Sequence, residues 1–96
     1  MIVERTKIFN KWLNSLKDRN AEATIKKHII RMENNNVGNV ESVGGGVYEK
    51  KIDCGAGYRL YFCYAGNILI LLLCGGDKST QQRDISRAKR MKGDYL

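Results

Sequence analysis

Apolar and polar positions divide the chain into two unlike halves. In the first, Ile8, Phe9, Trp12, Leu13 and Leu16 recur near the helical period and mark one apolar stripe. Thr6 or Asn10 stands where such a helix starts, and residues 1–5 read as a short strand before it. The pattern breaks at KDRNAE, where Asp18 or Asn20 can cap a second helix. Ala21, Ile25, His28, Ile29 and Met32 share a face of that helix. ENNNVGN ends it, because Asn and Gly accept the left-handed backbone of a helix stop. The two helices are expected to form an antiparallel hairpin.

The second half reads as strands over residues 47–53, 58–64 and 68–74. CGAG turns the first into the second, and Gly66-Asn67 is a two-residue hairpin signal. The segment 68–74 is apolar on both faces, as a central strand would be, and Gly75-Gly76 stops it. STQQ fits a capping box, with Ser79 as cap and Gln82 reaching back. A last helix then runs to about Lys92 with Ile85, Ala88 and Met91 inward. The order β-α-α-β-β-β-α gives an α+β domain, an antiparallel sheet with a helical hairpin and a C-terminal helix packed on it.

Alternation also sorts the polar residues. If Ile52, Leu60 and Phe62 point to the core, Arg59 and Tyr61 lie on the opposite, open face with Glu49, Lys51 and Asp53. This needs Ile52 opposite Leu60, and a connecting loop with an odd number of residues or a bulge, which the glycines of CGAGY allow. A four-residue loop would instead bring Lys50 beside Arg59. Lys78 leaves the end of the last strand, and Arg83, Arg87 and Arg90 line one face of the last helix. Arg59 and Lys78 are thus expected on the rim of a basic concave surface, where Arg59→Ala would cost only about 0–1 kcal/mol. Such a surface suits RNA. Arginine can grip a phosphate with two hydrogen bonds and stabilise a phosphorane-like transition state. Lysine supplies a point charge, or an acid or base where like charges lower its pKa. Tyr61 could stack on a base or lend its hydroxyl. The plainer alternative is that Arg59 and Lys51 only pair with Glu49, Asp53 or Asp77 across strands.

Composition narrows the setting. Ninety-six residues make one domain, 1–96, with a modest core. The net charge of +7 attracts polyanions, whether RNA, DNA or an acidic protein, or serves solubility alone. The longest apolar run, residues 68–74, is far short of a membrane span, and MIVERTKIFN lacks a signal-peptide core. Both point to a soluble intracellular protein. Three cysteines without a CxxC fit a reducing compartment and argue against a disulfide framework or zinc site.

GVYEKKIDCGAGYRLYF followed by LLLCGGDKSTQQRDISRAKRM resembles the RelE/ParE superfamily of type II toxin–antitoxin toxins, most closely its HigB-like addiction module killer proteins. Trp12-Leu13 with Leu16-Lys17-Asp18, residues 44–62 and residues 72–88 carry the likeness across nearly the whole chain. The resemblance implies a helical hairpin on a curved antiparallel sheet and a cytoplasmic protein of bacterial or phage origin with no membrane role. It implies a cognate helix-turn-helix antitoxin, and operator DNA contacted only through that partner. RelE-type members enter the ribosomal A site and cut mRNA with the RNA's own 2′-hydroxyl as nucleophile, without metal or cofactor. By position, the strand arginine of that site is Arg59, the strand lysine Lys51 and the basic residue after the last strand Lys78. Lys50, Arg83, Arg87 and Arg90 would hold RNA. The chain departs from RelE in having no tyrosine near residues 82–84. That leaves Asp84 or Tyr61 for proton transfer, while the one histidine, His28, reads as structural. Lys50 also stands where the family prefers an apolar residue. Two other readings remain open: a ParE-like DNA gyrase inhibitor that cleaves nothing, and an inactive member that only binds its antitoxin.

Overall fold

The computed structural model describes residues 1–95. Its elements are β1 (Ile2–Arg5), α1 (Lys7–Ser15), α2 (Arg19–Glu33), β2 (Val40–Gly44), β3 (Val47–Ile52), β4 (Tyr58–Ala65), β5 (Leu69–Gly76), a 3-10 turn (Lys78–Thr80) and α3 (Gln81–Tyr95). One sheet holds all five strands in the order β1-β5-β4-β3-β2. The fold is α+β, as the apolar pattern implies, with two differences in the sheet. β2 is an additional strand, and β1 runs parallel to β5, so the sheet is mixed rather than wholly antiparallel. β4 is the middle strand, and β5 lies between it and β1.

Caps fix the first two helices. The Thr6 hydroxyl accepts from Phe9 N at 3.0 Å and donates to Leu73 O at 2.6 Å, which starts α1 and ties it to β5. Asp18 caps α2 through Ala21 N at 3.0 Å. Phe9, Leu13, Ile25, Ile29 and Met32 from these helices pack on Ile52, Leu60, Phe62, Ile70 and Leu72 on one face of the sheet. The other face is not open. Ala88 and Met91 of α3 cover Val47, Tyr61, Cys63, Leu71, Leu73 and Cys74.

Near the end of β5 the structure corrects the sequence reading twice. Gly75 and Gly76 do not stop the strand but lie within it, because both faces are occupied there. A side-chain carbon at Gly75 would overlap the Trp12 ring, and one at Gly76 would overlap the Asp84 carboxylate. Nor does Ser79 cap α3. Asp77 caps the intervening 3-10 turn in a reciprocal pair with Thr80. The β3–β4 register places Ile52 opposite Tyr58, not Leu60, across a five-residue loop. The shift is of two residues, so each side chain keeps its assigned face.

Candidate functional site

β3 and β4 pair so that Lys51 faces Arg59, and β4 and β5 pair so that Arg59 faces Gly76. The chain then leaves β5 through Asp77 into the 3-10 turn, which brings Lys78 back over the same end of the sheet. Lys51, Arg59 and Lys78 line one depression of about 120 Å³ with Asp53, Gly57 and Tyr58. Lys51 and Lys78 are exposed and make no ion pair among the described residues. Gly57 holds a left-handed φ of 75°, and its carbonyl accepts from Arg59 Nη1 at 3.1 Å.

Arg59 is not a rim residue. Its side chain is 10% exposed and that of Glu49 only 2%, with Arg59 Nε 3.6 Å from Glu49 Oε2. That Nε is buried without a hydrogen-bond partner among the described residues. Glu49 Oε2 meanwhile accepts from the Tyr61 hydroxyl at 3.0 Å and from Gln81 Nε2 at 2.9 Å. The expected cross-strand pairing of Arg59 with Glu49 therefore exists, inside the protein rather than on its surface. Glu49 pairs with the guanidinium and Gln81 holds Glu49 in turn; sequence reasoning offered Glu49 as a pairing partner of Arg59 but gave Gln81 no place at the site. Gln81 stands in the first turn of α3, where only the fold shows that it reaches β3.

Burial also relocates the two proton-transfer candidates. Tyr61 is fully enclosed, and burial together with the hydrogen bond to Glu49 raises its pKa far above that of a free phenol. It is not placed to stack on a base. Asp84 is 1% exposed, and its carboxylate accepts from the Thr80 hydroxyl above Gly76. The phenol that does line the depression is Tyr58, half-buried with its ring edge-on to Trp12. Burial raises its pKa as well, so it is a donor at neutral pH.

The remaining cations are dispersed. Arg83, Arg87 and Arg90 lie along α3, where Arg83 and Arg90 are exposed and Arg87 half-buried, and none lines the depression. Lys50 points to the opposite face of β3 and is 4% exposed. Its Nζ donates to Val37 O at 2.6 Å. With half-buried His28 and exposed Arg31 it lines a groove of about 830 Å³, and Lys51 and Asp53 line both this groove and the smaller depression. Among the described residues no three His, Cys, Asp or Glu side chains gather as a metal site, and no helix is long and apolar enough to cross a membrane.

No protein-family model matches the sequence. The fold is similar to that of E. coli toxin RelE, in a double arginine-to-alanine mutant solved in the free state. The TM-score is 0.71 over 95% of each chain at 14% identity. A likeness at that identity concerns the fold, which is RelE-like. An uncharacterized protein of Haemophilus influenzae is 45% identical over 87 residues, 91% of this chain and 88% of that one. The chain thus belongs to one family with that Haemophilus influenzae protein, and this family has a RelE-like fold.

Proposed function

We propose that the chain is the toxin of a type II toxin–antitoxin system and acts as a ribosome-dependent mRNA endonuclease. The observation that carries this reading is the convergence of Lys51, Arg59 and Lys78 on one depression at the end of a RelE-like sheet. Three cations there suit a phosphodiester, whose cleavage by its own 2′-hydroxyl adds negative charge at phosphorus. Arg59, held by Glu49 and Gly57 in a poorly solvated position, stabilises that charge with little reorganisation. Lys51 and Lys78, free of protein partners among the described residues, hold the backbone on either side. Tyr58 can donate to the departing oxygen, and Asp53 is the carboxylate at the depression that can accept the 2′-hydroxyl proton. The likeness to a toxin suggests an antitoxin partner, with the basic face as the surface it covers.

The enclosure of Tyr61 and Asp84 favours a second reading, in which the same cations bind a protein target such as gyrase, or an acidic antitoxin segment, and nothing is cut. Inducing the chain in growing cells while following labelled amino acid and thymidine uptake separates the two. The nuclease reading expects protein synthesis to stop first. Earlier arrest of DNA synthesis would replace it with the gyrase reading.

A further inference from the structure

The groove on the far side of β3 contains a lysine that no carboxylate pairs with among the described residues. Lys50 is 4% exposed, and its part-buried Nζ donates to a neutral carbonyl. Burial and the neighbouring Arg31 both lower its pKa, and no carboxylate among the described residues acts against them. His28 beside it is lowered by burial, Lys50 and Arg31, with Asp53 alone pulling the other way. Of the other acids at the groove, Glu49 is engaged by Tyr61 and Gln81, and Glu41 is exposed. A buried cation without a counter-ion is costly, and an incoming anion removes that cost. Lys51 lines both this groove and the depression with Arg59 and Lys78, so a strand bound at the depression can continue into the groove.

We propose that His28, Arg31 and Lys50 form a second anion subsite, which takes a backbone phosphate of the RNA strand held at Lys51, Arg59 and Lys78. This rests on the nuclease reading for the identity of the ligand. It explains why a lysine occupies a core-facing position of β3.

His28 is the only histidine, so its ring signals in NMR report on the groove alone. The test titrates His28 in the full chain, free, with pyrophosphate, and with a non-cleavable 2′-O-methyl oligoribonucleotide. Anisotropy then gives affinity for the same oligonucleotide at several salt concentrations. Lys50→Met keeps side-chain volume in the buried position, and Arg31→Ala alters an exposed residue. Both anions should raise the His28 pKa. Each variant should weaken RNA binding several-fold and lower the salt slope by about 0.7, the contribution of one single-strand phosphate. Wild-type RNA affinity in both variants, with loss in Lys78→Ala, would overturn the subsite and leave the nuclease reading standing. Failure of either anion to move His28 would also overturn it. If pyrophosphate moves His28 but RNA does not bind at all, the groove takes another polyanion, such as an acidic peptide, and the RNA assignment is lost together with the nuclease reading.

Discussion

Replacing Arg59 by alanine should destabilise the protein strongly, even though the residue lines the depression with Lys51 and Lys78. The side chain is 10% exposed, and among the described residues no other cation pairs with Glu49, which otherwise accepts from neutral Tyr61 and Gln81. Truncation leaves a carboxylate that is 2% exposed without a cation. Breaking a buried pair in this way costs about 3–5 kcal/mol. Water entering the emptied depression offsets some of that, so about 2–4 kcal/mol is expected, against roughly 5–15 kcal/mol for a domain of this size. The melting temperature should fall by about 10–20 °C. Urea unfolding followed by circular dichroism measures the loss. Adding Glu49→Gln to Arg59→Ala should restore part of it, because a neutral amide oxygen can still accept from Tyr61 and Gln81. A loss below about 1 kcal/mol would refute the reasoning and return Arg59 to a solvated rim. No recovery in the double variant would show that the carboxylate is not what makes the truncation costly. Loss of activity in Arg59→Ala alone is therefore not evidence of catalysis, and Lys51 and Lys78 are the cleaner probes.

Other expectations follow from burial and packing. Gly76→Ala should displace Asp84 from β5 and cost about 1–3 kcal/mol, read in the same unfolding assay, whereas Gly66→Ala meets no neighbour and should show only the cost of its left-handed φ of 67°. His28 is held below its ordinary value of 6.5, so the unfolded chain takes its proton more readily. The contribution is intact above about pH 6.5 and lost as pH falls through the folded value, so stability should decline from about pH 7 toward pH 5, and His28→Gln should flatten that decline. Asp77, lowered from 3.8 by its hydrogen bonds to Ser79, acts in a separate and more acid window. Burial pushes the Cys74 thiol up to about 12 and raises that of Cys63, so a thiol reagent at neutral pH should modify half-exposed Cys54 quickly and the other two only on unfolding.

The helices were legible because each buries a single stripe, and that periodicity survives in the residue order. α1 and α2 bury Phe9, Leu13, Ala21, Ile25, Ile29 and Met32 as their spacing implies. Face assignment in β3 and β4 was legible for the same reason, since a register shift of two residues leaves parity intact. Coverage of a face was not. Alternation says that Arg59, Tyr61 and Glu49 share a side, but only the docking of Ala88 and Met91 over that side shows that it is closed. β2 left little trace because VESVG is short and largely exposed and carries no clear alternation. The parallel pairing of β1 with β5 joins segments more than sixty residues apart, which no local pattern records. Lys50 looked like an inconsistency in the core-facing row of β3. The fold gives it a setting, because β2 begins only at Val40 and leaves a groove beside it.

Primer extension on an mRNA translated in vitro with the purified full chain tests the central claim most directly, beside Lys51→Ala/Lys78→Ala at exposed positions that leave the core intact. The account predicts in-frame cuts that require ribosomes and disappear in the double variant while its melting temperature stays within a few degrees of wild type. An intact mRNA in the presence of folded, growth-inhibiting wild-type protein would contradict it.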